Sequence, residues 1–170
     1  MKRSQRLLGL ALAAAASVGL VACKDKVGPK PPTFKLPAVG GGECDLAAQK
    51  GKVVLLEFWS FRCPYCRKEV PELKKVGSKI DPKKVVIYSI HSFGGAKMES
   101  RLTQFDFGPN VKVCLGDREI IKKYKELPKP YGIHGVPHML LLDKTGHIRR
   151  YHRGLTKADK LLEDIKKYTD

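Results

Sequence analysis

The sequence predicts an α/β domain built on a central mixed β-sheet flanked by helices. Three observations lead there. Val53-Val54-Leu55-Leu56-Glu57-Phe58-Trp59 is a nearly continuous apolar run rich in β-branched and aromatic residues, the pattern of a strand buried on both faces. Helical and strand patterns then alternate as far as the region of Leu127. From Met139 the order becomes strand, turn, strand, helix, so the whole reads as βαβ, helix, then ββα.

The elements follow in chain order. Residues 2–6 carry Lys2, Arg3 and Arg6, and an apolar run continues from Leu7 to Ala22. A basic head before a short apolar body is the pattern of a secretory signal, and the run is too short for a comfortable transmembrane helix. It ends in Leu20-Val21-Ala22-Cys23, which resembles the bacterial lipoprotein box. The expected organisation is therefore a signal peptide over 1–22, a lipid-anchored basic tether over 23–35 stiffened by Pro29, Pro31 and Pro32, and one domain over 36–170. Lipid on Cys23 would hold that domain at the outward surface of a bacterial membrane.

After the first strand, Ser60-Phe61-Arg62 turns the chain. Pro64 occupies the first helical position, where its missing N–H costs nothing. That helix is expected to run to about Ile80, kinked at Pro71. Val85–Ile90 reads as a second buried strand, Met98–Phe105 as a looser helix and Val111–Cys114 as a short strand. Asp117–Glu126 reads as a helix with Ile120, Ile121 and Tyr124 on one face, and Leu127–Gly135 as a loop. Asp143–Gly146 turns Met139–Leu142 into His147–Arg153. Thr156 with Asp159 predicts a capping-box start for the last helix.

The 170 residues carry a net charge of +16, and without Lys2, Arg3 and Arg6 the balance is still +13. Such a chain favours anionic partners. Nucleic acid is not expected, because the lysines are spread over several helices with no recognition motif.

Five cysteines are present, and with Cys23 assigned to lipid four remain. Export would place them where disulfides persist. Cys63 and Cys66 form a C-x-x-C followed by Arg67, not histidine, which excludes c-type haem attachment. A helix start offers unpaired N–H groups and a positive dipole end to an anion at Cys63. Cys66, one turn further in, is placed to resolve a mixed disulfide. Cys44 and Cys114 are left over, either as a structural disulfide or as two isolated buried thiols.

The stretch Phe58-Trp59-Ser60-Phe61-Arg62-Cys63-Pro64-Tyr65-Cys66-Arg67-Lys68-Glu69-Val70-Pro71-Glu72-Leu73 resembles the active site of the bacterial TlpA/ResA-like thioredoxin family. So does Tyr131-Gly132-Ile133-His134-Gly135-Val136-Pro137, followed by an apolar strand and Asp143-Lys144-Thr145-Gly146. The likeness runs from about Thr33 to the C-terminus. It implies a thioredoxin-like fold and a thiol–disulfide oxidoreductase whose only redox group is the Cys63–Cys66 disulfide, with no other cofactor. It implies protein disulfide substrates, as in cytochrome c assembly, a reducing role fed by a membrane thiol donor, and an extracytoplasmic setting. It also implies that the Val136–Pro137 bond is cis and faces the cysteines across a groove. Trp59, which would be core as well, Pro64, Tyr65, Val136, Pro137 and His138 would line that groove.

The family's pattern departs here at Pro64-Tyr65, where Pro-Pro is common, and at His138, where Thr is usual. Thioredoxins carry a proton-relaying acid at the position of Glu57, and the resemblance marks Glu69 as a cysteine-tuning acid. The plain alternatives are a Glu57 reaching water at the sheet's end and a surface Glu69. His138 is either a proton or metal group near the thiols or a hydrogen-bonded structural histidine. A second functional class stays open with it: a copper- or zinc-binding lipoprotein using Cys63, Cys66 and His138.

Overall fold

Seven residues, Val53–Trp59, form the central strand β3, and all seven are buried. The strand is apolar on both sides because layers cover both faces of its sheet. The computed structural model describes residues 26–169; the expected signal segment and Cys23 lie outside them. Around β3 the chain builds β1 (Lys35–Pro37), β2 (Glu43–Asp45), α1 (Pro64–Gly77), β4 (Val85–His91), α2 (Glu99–Leu102) and β5 (Val111–Leu115). It ends with α3 (Arg118–Lys125), β6 (His138–Leu142), β7 (Ile148–Arg153) and α4 (Ala158–Thr169). The main sheet has the order β5-β4-β3-β6-β7, with β3–β4 and β4–β5 parallel and β3–β6 and β6–β7 antiparallel. This is the mixed sheet the sequence predicts.

Alternation along β3 divides the core. Val54, Leu56 and Phe58 pack with Phe34, Leu36, Tyr124 and Leu140 under the β1–β2 hairpin and α3. Val53, Leu55 and Trp59 pack with Leu73, Val76, Leu141 and Ile165 under α1 and α4. The edge helix α3 is capped by Asp117, whose carboxylate accepts from the Glu119 and Ile120 N–H groups at 2.9 and 3.0 Å.

Several expectations are corrected. The helix expected over Met98–Phe105 is a 3-10 turn, Gly95–Met98, followed by the four residues of α2. Gly94 and Gly95 on one side and Gly108-Pro109 on the other leave too few helix-forming residues between them for a longer run. The expected tether docks onto the domain from Gly28 onward. The Gly28 N–H bonds Ile148 O at 2.8 Å, the Ile148 N–H bonds Pro29 O at 3.1 Å, and the Tyr124 hydroxyl bonds Pro32 O. Only glycine fits at 28, because a Cβ there would stand 2.8 Å from both Ile148 O and the Tyr131 ring. The same strip reaches the opposite sheet edge, where the Val39 N–H bonds Val113 O at 2.9 Å. Helix α1 carries Pro71 inside it on an exposed face and ends at Gly77, short of the expected Ile80.

The capping box at α4 is absent. The Thr156 hydroxyl bonds Gly154 O, and the first-turn Ala158 N–H goes instead to the Glu72 carboxylate at 2.9 Å.

Cys44 and Cys114 are disulfide-bonded, with Cα atoms 6.0 Å apart, and the bridge joins β2 to β5.

Candidate active site

The turn after β3 lifts the chain out of the sheet, and the Cys63 N–H closes it on Ser60 O at 3.0 Å. Cys63 is the N-cap of α1, in extended conformation, with Pro64 following. Its sulfur accepts the Cys66 N–H at 3.3 Å and lies 3.6 Å from the Val136 carbonyl oxygen. The Val136–Pro137 bond is cis, as the resemblance implies; Lys129–Pro130, not anticipated, is cis too. Both thiols are reduced, Cys63 half-buried and Cys66 fully buried. Burial pushes the Cys66 thiol well up from its ordinary value, and its interaction with Cys63 adds to this.

Behind Cys66 stand two buried carboxyls. Glu57 projects from β3 onto the α1 face and accepts from the Ser89 hydroxyl. Glu69 comes from α1 and accepts the Thr156 N–H at 2.7 Å. Glu57 Oε1 and Glu69 Oε2 are both buried with no other donor in reach, while the two side chains interact with one another. One shared proton satisfies both oxygens. Burial raises both carboxyls. Glu57 is raised further by the charge of Glu69, and Glu69 reaches about 7. Both carboxyls thus keep protons to higher pH than free ones, and they lie close enough to the thiols for the charges to be felt.

The AhpC/TSA family profile matches residues 27–151, most of the chain. The chain belongs to the AhpC/TSA family. It is 28% identical over 147 residues to a thiol-disulfide oxidoreductase ResA from Bacillus thuringiensis subsp. konkukian, covering 86% of this chain and 80% of that one. It is 29% identical to the thioredoxin-like protein YneN of Bacillus subtilis, over 78% of this chain and 75% of that one. Among solved structures, a putative thiol:disulfide interchange protein DsbE from Chlorobium tepidum superposes with a TM-score of 0.68. The identity there is 26%, with 85% and 99% of the two chains covered. An exposed lipoprotein thioredoxin of Streptococcus pneumoniae gives 0.68 at 23% identity, over 80% and 99% of the chains, and shares the fold. The protein is a thioredoxin-fold thiol–disulfide oxidoreductase of ResA/DsbE type.

This AhpC/TSA-family chain brings Cys63, Cys66, Glu57, Glu69, Val136 and Pro137 together, buries Trp59 behind them and turns His138 away from the thiols. Trp59 has no exposed surface. Phe105, Phe107 and His91 meet its ring at centroid distances of 5.0–5.4 Å, so it is core behind the groove and not a groove wall. The exposed apolar surface beside the thiols is instead Tyr65, at 62%, and Phe93, at 49%. Half-buried Phe61 adds to it, with Arg62 and Arg101 over its ring. Phe61, Phe93, Met98 and Arg118 line a hollow of about 310 Å³ there.

His138 pairs with Phe58 across β3–β6 and so points to the α3 face, away from Cys66 and the carboxyls, while it shares a hollow of about 280 Å³ with Val136 and Pro137. Burial, reinforced by the charge of Arg153, lowers it to about 4, so it is neutral. A metal set of Cys63, Cys66 and His138 is therefore not formed, because the pleat sends the third member through the sheet. No group of three or more metal-type ligands occurs among the described residues.

Sequence reasoning missed Glu72 and Ser89. The spacing Glu69-x-x-Glu72 was the available signal, since it stacks two acids on one helix face.

Proposed function

We propose that the protein reduces disulfides of exported proteins outside the cytoplasm, held to a membrane by lipid on Cys23 and recharged by a membrane thiol donor. The observation that carries this is the contrast between the two sulfurs. Cys63 is open at the N-cap beside the Val136–Pro137 cis bond, and Cys66 is sealed against a buried carboxyl pair.

Cys63 attacks as the thiolate. The substrate S–S bond breaks, its leaving sulfur takes a proton, and Cys63 is left in a mixed disulfide. The ionised oxygen of the Glu57–Glu69 pair then accepts the Cys66 proton. Cys66 attacks the Cys63 sulfur, releasing the second substrate thiol and leaving Cys63–Cys66 oxidised by two electrons. Tyr65, Val136 and Pro137 hold the partner chain alongside, and Pro137 offers no N–H to compete for its sulfur.

The reducing direction rests on the resemblance of the Cys63–Cys66 and Val136–Pro137 segments to the TlpA/ResA-like family. Export is supported by the Cys44–Cys114 bond, a pairing that persists in oxidising compartments. Apocytochromes c are the first substrates to try.

In cells, Cys66→Ser should accumulate mixed disulfides on non-reducing gels and Cys63→Ser few. Equal trapping by both would reverse or void the assigned roles. The Cys63–Cys66 potential should fall nearer the reducing end of the known range, about −270 mV, than the oxidising end, about −120 mV. A value at the oxidising end overturns the direction.

A further inference from the structure

We propose that the end of the domain opposite Cys63 is a docking face for anionic phospholipid headgroups, setting the molecule on its membrane with the thiols turned outward. The orientation rests on the lipid-anchor reading above; the contact itself rests on lysines.

Strands β3 and β4 start at this end, β6 finishes there, and α4 runs back to it. The Val53 N–H bonds Lys84 O at 3.0 Å, the Gly51 N–H bonds Lys144 O at 3.0 Å, and Lys144 Nζ donates to Thr169 O at 2.7 Å. These bonds tie the turns before β3, before β4 and after β6 to the last turn of α4. Lys50, Lys52, Lys83, Lys84, Lys144 and Lys166 therefore gather at one end. The acids those turns contribute among the described residues are Asp81 and Asp143, and Asp143 already accepts from Arg149 at 3.4 Å. Beside them lies a hollow of about 240 Å³, with Leu46, Val54 and Leu142 in its lining and Lys30 and Lys50 among its lysines. Such a face offers ammonium groups to phosphates.

The chain's route places the anchor at the same end. Gly28 is fixed at Ile148, the first residue of β7. The five residues from Cys23 to Gly28 span at most about 18 Å when fully extended. The seven residues of β3 separate the two ends of the sheet by about 20 Å. A lipid on Cys23 thus enters the bilayer near the lysine end and out of reach of the thiols. A basic patch adds a second, electrostatic signal to the lipid and holds the domain itself against the surface. The face has lysines and no exposed aromatic platform, which fits headgroups better than stacked bases.

The test uses the full chain with Cys23→Ser, which cannot take lipid, sedimented with phosphatidylcholine vesicles with or without phosphatidylglycerol. Binding to neutral vesicles measures the leader. The phosphatidylglycerol-dependent increment should be large and should fall as salt is raised. Lys50→Glu with Lys83→Glu and Lys84→Glu should weaken that increment about a hundred-fold. Lys97→Glu with Lys122→Glu and Lys125→Glu, the same change of charge elsewhere, should weaken it far less. Insulin reduction in solution should survive in both, which reports their folding. If the first triple does not fold, Lys50→Gln with Lys84→Gln and the wild-type salt series decide. Equal binding to both vesicles, or equal loss in both triples, overturns the docking face. The mass of wild-type protein taken from membranes reads the anchor separately. An unlipidated chain that still binds anionic vesicles refutes the anchor and leaves the lysine face standing.

Discussion

Burial raises Glu57 and Glu69 together, and a negative charge on either has a cost for folding. In the unfolded chain each carboxyl titrates near 4.5, whereas in the fold Glu69 reaches about 7 and Glu57 is raised well above 4.5. Between those values the folded state binds more protons than the unfolded one. Stability therefore falls as pH rises through the window and stays lowered above it. Glu69→Gln keeps an acceptor for the Thr156 N–H and removes the charge. It should raise stability at pH 8 by about 2 kcal/mol, with little effect at pH 4, in urea unfolding at the two pH values. The same change should slow release of mixed disulfides at neutral pH. No gain in stability at pH 8 would mean that burial does not penalise the Glu69 charge. The positions of both acids were legible from the C-x-x-C context. Their pairing was not, because it depends on α1 lying across β3. Trp59, expected as both core and groove wall, is core alone, and His138 meets Pro137 from the face of the sheet away from the thiols, for a related reason. Adjacency to a motif along the chain does not say on which side of the pleat, or how deep, a side chain ends.

At the level of elements, α1 holds α4 by its acids. Glu72 takes the Ala158 N–H, has Lys75 and Lys157 within 3.1 and 3.5 Å, and is thereby kept below the usual carboxylate range. The sign is opposite to that of the buried pair: this stabilisation is present above the unfolded value and is lost as pH falls through the folded one. Glu72→Ala should cost about 1 kcal/mol at pH 7, the usual worth of a helix cap, and almost nothing at pH 3. An equal loss at both pH values in denaturant titrations would assign the effect to packing and not to the cap. Strands β3, β4 and β6 were readable because apolar runs on both faces have few alternatives. The three-residue strands β1 and β2 were not, since so short a run shows no period and Gly40-Gly41-Gly42 between them reads as loop. The true cap of α4 lies 86 positions away in sequence, where no local pattern reaches.

For the whole molecule, the Cys44–Cys114 bond closes a separation of 70 residues that includes Cys63 and Cys66. Replacing both cysteines by Ala should cost about 2–4 kcal/mol in chemical unfolding under oxidising conditions. It should leave the Cys63–Cys66 potential unchanged. A shifted potential would mean that the bond also sets the redox site. The pairing was one of two readings open in the sequence, and the fold decided it by bringing β2 against β5.

The strip from Gly28 to Val39 has a consequence for the company this sheet keeps. Strands β7 and β5 are its two rims, and each would otherwise offer a row of unpaired amides and carbonyls to any extended chain nearby. Gly28 and Pro29 occupy that row at the start of β7, and Val39 occupies it on β5. Arg149, Arg150 and Arg153 load much of what remains of β7 with charge. An enzyme that exchanges disulfides with other proteins carries its own cover against pairing with their strands, and ribosomes make that cover before the rims it protects.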